Sequence, residues 1–298
     1  MAVSVAELAK ALADQGHEIH LVALTPKDFT YDHPGIHLHR LPSLSGALIY
    51  PGIRFGSPFS RRIQKRMEAE GVEVVHIHTP LSTARLGGSV ARRLKIPMVG
   101  TYHSPIDAGE YRAHAGLGSS FFDRPAKWFV DYFYGPCDMV TVPTSEYAAQ
   151  LDDLGLGYNI RVISNGIDLA KFQGGNDREV RNRYPGKIVL SVGRVAHEKN
   201  LMFLFEAWHR IQDEAHLIVI GGGPQEAELK EFTSRNGLKN VHFVGMIPHE
   251  ELLRAGFHRA ADVFVVTSMI ETQGLSLMEA QANGLPAVGV DSGGTRDL

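Results

Sequence analysis

The sequence predicts an α/β protein of two doubly wound domains facing a cleft. Short β-rich runs alternate with longer helical patterns along the 298 residues. Most of these runs are continuously apolar, as strands covered on both faces of a parallel sheet are. One polar stretch, KFQGGNDREVRNRYPG (Lys171–Gly186), has no apolar period and interrupts the alternation. Alternation of this kind builds βαβ units. The expected organisation is a first domain over residues 1–170, a linker over 171–186 and a second domain over 187–298.

The chain opens on MAVSVAELAKALADQG, where Glu7, Lys10 and Asp14 recur at intervals, so this segment reads as an amphipathic helix and not a signal peptide. Strands are expected at Glu18–Leu24, Val72–His78, Pro97–His103, Asp138–Pro143 and Ile160–Ser164. Beyond the polar break they are expected at Lys187–Gly193, His216–Gly221, Val241–Gly245, Asp262–Val266 and Pro286–Val290. Helices fall between them, for example Leu201–Gln212 and QEAELKEFTSRNG, which closes on Gly237 as a C-terminal cap. The first element is a helix with no strand before it, and the chain stops at DSGGTRDL just after a strand. A fragment of a longer frame is the expectation, in preference to an unusual topology.

Composition narrows the class. At 44% hydrophobic and 21% charged the chain has enough apolar residues for real cores, and a net charge of −3 argues against a bulk nucleic-acid binder. Cys137 is the single cysteine, which excludes an intramolecular disulfide and a four-thiolate zinc site and fits a reducing compartment. No apolar run approaches the roughly 20 residues of a membrane span. A cytoplasmic protein is expected.

Three stretches can carry chemistry. After KIVLSVG comes GRVAHEKN, where Arg194 and Lys199, next to Gly193, sit as the strand hands over to a helix. Two cations there suit a diphosphate, although most such pairs are only solvated loops. Gly221–Pro224 forms a glycine-rich turn before a helix, which allows a ligand close to the backbone or is simply a turn. The stretch ETQGLSLMEA carries Glu271 in a loop, Gly274 and Leu275 at a helix start and Glu279 about one turn in. The amides of such a start face an anion. Alone, the two glutamates read as a solvated helix face; beside Arg194 and Lys199 they read as a grip on hydroxyls either side of a diphosphate.

GRVAHEKN, ETQGLSLMEA and SNGIDLAKF (Ser164–Phe172) resemble the retaining glycosyltransferases of family 4, with the GT-B fold, and the likeness covers nearly the whole chain. It implies an acceptor-side first domain and a nucleotide-sugar-binding second domain. Arg194 and Lys199 would hold the donor diphosphate. Glu271 and the amides of Thr272, Gln273, Gly274 and Leu275 would hold the transferred sugar and phosphate, Glu279 the ribose, and the loop VGMIP around Met246 the base. In the first half TYHS matches the family's strand-end histidine, so His103 would contact the sugar and the reacting centre. The co-substrate implied is a nucleotide-diphosphate sugar, UDP-hexose, with no other cofactor. The variant ETQGL together with GGTRDL is most similar to bacterial diacylglycerol glucosyltransferases, which implies a lipid hydroxyl as acceptor. The family's glycine-rich loop after its first strand and its C-terminal crossover helix are absent, which bears on whether this chain turns over. The implied mechanism is retention at the anomeric carbon, with attack from the face the leaving group departs and no covalent carboxylate nucleophile. No Asp-x-Asp occurs, so no metal is expected. Two rivals stand beside this reading: a sugar-nucleotide epimerase of similar architecture, with Asp107 and Glu110 as its nearest candidate acids, and a non-catalytic nucleotide-sugar binder.

His76 and His78 fall on one side of a strand. They could ligate zinc but lack an obvious third ligand, so a cleft lining or a buried network is preferred; His37 and His39 repeat the spacing on an expected exposed strand. The segment Arg54–Gly71 carries Arg61, Arg62, Lys65 and Arg66, with Phe59, Ile63 and Met67 at helical spacing. Such a helix packs on a sheet or lies on an anionic membrane surface, which places the protein on the inner face of the cell membrane. Tyr111 and the aromatic stretch Phe121–Gly135 border an acceptor groove or form helix core.

Overall fold

The structure is a computed structural model that describes residues 2–25, 30–45, 54–103, 123–172, 175–291 and 293–298. The chain divides into two compact units, Met1–Gly166 and Ile167–Leu298.

The first unit begins with α1 (Ala2–Asp14), then β1 (Ile19–Ala23) and β2 (Ile36–Arg40), which pair in parallel. A short antiparallel pair follows, β3 (Ser43–Ser45) and β4 (Arg54–Gly56). Next come α2 (Arg61–Ala69), β5 (Val75–Ile77), α3 (Ser82–Leu94), β6 (Met98–Thr101), α4 (Asp123–Tyr134), β7 (Met139–Val142), α5 (Ser145–Asp153) and β8 (Ile160–Val162). The parallel sheet runs in the order β5-β6-β7-β8.

The segment Arg54–Gly71 is thus a strand and then a helix. The helix starts only at Arg61, where the Ser60 hydroxyl accepts from the Ile63 amide at 3.3 Å. Ile63 and Met67 are buried against Leu41, Leu86 and Val90. Two of the three residues of its apolar stripe are therefore core, while Phe59 is exposed. Arg61, Arg62, Lys65 and Arg66 remain exposed.

The second unit contains α6 (Asp177–Arg183), β9 (Lys187–Val192), α7 (Leu201–Trp208), β10 (Ala215–Ile220), α8 (Glu226–Arg235) and β11 (Val241–Gly245). It continues with α9 (His249–Arg254), α10 (Phe257–Ala260), β12 (Val263–Val266), α11 (Leu275–Ala282) and β13 (Ala287–Gly289). Its parallel sheet has the order β11-β10-β9-β12-β13. Side chains alternate across it. Ile188, Leu190, Ile218 and Ile220 enter one core, while Val189, Leu217 and Val219 face another with Phe205 and Trp208. Helices therefore cover both faces, the doubly wound arrangement that continuous apolar strands require.

The expected linker over 171–186 is largely structured. A 3-10 turn occupies Leu169–Phe172, and α6 buries Val180 and Tyr184 in the second core. Two apolar residues four apart are enough to anchor one helical turn, and the surrounding charges hid them in the sequence. Both units start a strand in the same way. Asp138 accepts from the Met98 amide at 2.8 Å, and Asp262 from the Ile188 amide at 2.9 Å. No described helix is long and apolar enough to cross a membrane.

Candidate functional site

In open α/β sheets ligands bind beyond the carboxyl ends of the strands. In the second unit those ends are joined by backbone. The Gly193 amide donates to Ile220 at 3.0 Å, Val195 to Gly222 at 3.1 Å and Gly221 to Gly245 at 2.9 Å. The glycine-rich turn is what permits this. A Cβ on Gly221, whose φ is +135°, would stand 1.8 Å from the Gly193 carbonyl oxygen, and one on Gly223 would stand 2.2 Å from that of Val195. These two glycines are required by contact between loops, whatever ligand lies above them.

Arg194 and Lys199 follow β9. Lys199 closes the 3-10 turn His197–Lys199, which Asn200 leaves in the left-handed region at φ 49°. The Lys199 carbonyl accepts from the Thr267 hydroxyl at 2.8 Å, and the Glu198 carbonyl from the Met269 amide at 3.2 Å. The turn after β9 is thereby fixed to the loop after β12. From it Lys199 Nζ donates to Glu271 Oε2 at 2.6 Å, with both side chains mostly buried. Arg194, Lys199, Thr267, Ser268 and Ser276 line a common pocket there.

Glu271 lies in the loop before α11. Gly274 caps that helix with φ 69°, where an L side chain is strained. The Gly294 amide donates to the Glu271 carbonyl at 2.6 Å, and a Cβ on Gly294 would stand 2.4 Å from the Thr272 carbonyl oxygen. The terminal GGT segment therefore braces the loop that carries Glu271, Thr272 and Gln273. Gln273 is buried, and so is Glu279, at 6% exposure. Glu279 is no solvated helix face: its Oε1 meets His249 Nε2 at 2.8 Å. That hydrogen bond raises His249 above its ordinary value, against burial, which lowers it. Nothing in the spacing pointed to His249, because its partner lies 30 residues away. Met246, in the loop after β11, is 81% exposed.

In the first unit His103 follows β6 and is buried. Its Nε2 lies 3.0 Å from His78 Nδ1, and the His76 ring stands 4.1 Å from that of His78. His76 Nε2 reaches Thr101 Oγ1 at 2.7 Å, which reaches Thr141 Oγ1 at 2.7 Å. Burial lowers His103 to about 4 and His78 to about 2, so both are neutral near pH 7. The sequence placed His76 and His78 together, but only the pairing of β5 with β6 sets His103 against them. Ser104, Pro105, Asp107, Glu110, Tyr111, Phe121 and Phe122 lie outside the described residues. Of the aromatic stretch, Phe133 and Tyr134 are core, whereas Trp128 and Tyr132 are exposed.

Residues 1–171 match the profile of Glycosyltransferase Family 4, and residues 175–298 that of Glycosyl transferases group 1. This chain is a family 4 glycosyltransferase. It is 30% identical over 302 residues to alpha-monoglucosyldiacylglycerol synthase of Streptococcus pneumoniae, covering 97% of this chain and 67% of the relative. Sucrose-phosphate synthase of Thermosynechococcus elongatus superposes with TM-score 0.75 at 24% identity, covering 99% of this glycosyltransferase and 76% of that chain. Anabaena HepE in complex with UDP-glucose superposes with TM-score 0.69 at 17% identity, covering 99% and 78%. The two Rossmann-like units of this family 4 enzyme are those of the GT-B fold class, and the enzyme is a hexosyltransferase.

Proposed function

We propose that this enzyme moves a hexose from UDP-hexose to a hydroxyl of a membrane lipid such as diacylglycerol, with retention at the anomeric carbon. The observation that carries the reading is the Lys199–Glu271 pair at 2.6 Å beside Arg194 and the start of α11. Cations and first-turn amides stabilise charge growing on a departing diphosphate, and a carboxylate next to them can hold a sugar hydroxyl. Arg194 and Lys199 hold the diphosphate, with Gly193 beneath. Glu271 holds the sugar, with Thr272, Gln273, Gly274 and Leu275 presenting amides to sugar and phosphate. Glu279, oriented by His249, holds the ribose, and the loop at Met246 meets the base. His103, neutral and tied through Nε2 to His78, offers Nδ1 to the sugar. The departing phosphate takes the acceptor proton. The first unit binds the acceptor and the second, Ile167–Leu298, the donor.

The relative's name, alpha-monoglucosyldiacylglycerol synthase, supports the lipid acceptor. So does the surface beside α2. Arg85 lies 4.9 Å from the Tyr132 ring and 5.8 Å from that of Phe59, and Trp128 stacks on Tyr132 at 5.1 Å. Exposed aromatics among cations suit the lipid headgroup level of the inner membrane face. Replacing Arg61, Arg62, Lys65 and Arg66 together with Gln reduces sedimentation with anionic liposomes at least tenfold, at about 1 kcal/mol per basic residue near the surface. Equal sedimentation of both proteins would leave α2 a structural helix.

The test of function is a donor screen with labelled UDP-glucose, UDP-galactose and GDP-mannose over diacylglycerol micelles. Radioactive glycolipid from UDP-glucose is expected. Donor isomerisation, or binding with no product, overturns the proposal. Arg194→Ala weakens UDP-hexose binding by about 2 kcal/mol, the size of a charge-assisted bond. Calorimetry giving the unaltered affinity would remove Arg194 from the diphosphate.

A further inference from the structure

We propose that the β1–β2 pair and the C-terminus of α2 form a binding site for a divalent transition-metal ion of the zinc type. β1 and β2 pair with His20 opposite His37, so both imidazoles leave the same face, with ring centroids 5.1 Å apart. Glu18, just before β1, reaches both: its Oε1 lies 3.0 Å from His37 Nε2 and 4.0 Å from His20 Nε2. Glu70, the C-cap of α2, supplies a second carboxylate, and the ligand atoms of Glu18, His20 and Glu70 all lie within 4.8 Å of one another.

A tetrahedral zinc ion with ligands near 2.1 Å holds neighbouring donors about 3.4 Å apart, and the 4.0 Å between Glu18 Oε1 and His20 Nε2 is close to that spacing. Imidazoles mixed with carboxylates suit zinc, whereas magnesium and calcium favour oxygen alone. His20 also has the outer partner that a metal-bound histidine normally has. Its Nδ1 lies 3.0 Å from His39 Nε2, which fixes the ring with Nε2 turned to the carboxylates. Arg66 competes for Glu70 through a 2.5 Å contact, so affinity falls below that of a closed structural site. The ligands come from residues 18, 20 and 70, and an ion there cross-links α2 to the β1–β2 pair. Nothing in the donor chemistry of the second unit requires it.

The test strips the whole chain with EDTA and titrates it with zinc chloride at pH 7.5 against a chromogenic chelator. One tight equivalent is expected, with a rise in the melting temperature. His20→Ala and Glu70→Gln each weaken that equivalent by at least tenfold, and His39→Phe, which keeps every ligand, weakens it by about tenfold. His216→Ala, which breaks a different histidine pair at 3.0 Å, leaves it unchanged. Circular dichroism in EDTA confirms folding of each variant. If His20→Ala misfolds, Glu70→Gln and Glu18→Gln, on exposed or half-buried side chains, still decide. Absence of a stoichiometric zinc ion, or wild-type binding in the ligand variants, overturns the site.

Discussion

Glu271→Gln lowers the rate of sugar transfer by at least about 10²-fold, the effect of removing one preorganised electrostatic contact from a transition state. The substitution keeps the volume and a hydrogen-bonding oxygen but removes the charge. Lys199 Nζ, now 2.6 Å from that carboxylate, is left with a neutral partner and is free to follow the diphosphate instead. Donor affinity therefore changes little, while turnover falls. The backbone of the loop is untouched, because Gly294 binds the carbonyl of Glu271 and not its side chain. The ion pair stabilises the fold by about 1 kcal/mol, so the melting temperature moves by only about 2–4 °C. The measurements are kcat with labelled donor, donor affinity by calorimetry and a thermal melt. Full turnover in Glu271→Gln would remove this residue from the reaction, and a collapsed melt would make its role structural.

Acid unfolds the first unit between pH 6.5 and about 4. His103 is buried and lowered from 6.5 to about 4, and His78, which it contacts at 3.0 Å, to about 2. An unfolded chain takes up a proton on each as pH falls through 6.5, while the folded chain does not. The unfolded state then binds more protons, so stability is full above pH 6.5 and declines as pH falls toward the folded values. The shift at His103 alone amounts to about 3 kcal/mol, a large part of the stability of a domain. His258, buried in the second unit and lowered by desolvation, adds a contribution of the same sign. His249 acts in the opposite sense: raised by Glu279, it stabilises below pH 6.5 and loses that effect as pH rises through its folded value. Denaturant unfolding from pH 7.5 to 4.5, followed by circular dichroism, should show the decline, and His78→Gln with His103→Gln should reduce it, the remainder coming from His76, which burial lowers to about 4, and from His258. Parallel curves for wild type and double variant would exclude these histidines as its source.

Most strands of the two parallel sheets were legible because most are continuous apolar runs, as strands covered on both faces are. The four-residue register of α6 was missed because only Val180 and Tyr184 carry it among charged neighbours. The β3–β4 pair was missed because three-residue strands carry no periodicity that a sequence window can register.

In the second unit the sequence by itself determined which residues are chemically equipped: Arg194, Lys199, Glu271 and Gly274 stand just past strand ends or at a helix start, and Glu279 within that helix; in the first unit His103 stands at a strand end. Spacing along one chain also fixed that Glu271 precedes the helix and Glu279 lies within it. Only the tertiary structure decided the partners. Lys199 and Glu271 are 72 residues apart, His249 and Glu279 are 30 apart, and His78 and His103 are 25 apart. Each pair is made by the packing of elements distant in sequence, which depends on how whole apolar faces meet and not on any local motif. The same holds for the turn at Gly221. In sequence its glycines allow a ligand close to the backbone or are simply a turn; that Gly221 and Gly223 also meet carbonyls of a neighbouring loop is a steric requirement that exists only once the sheet has formed.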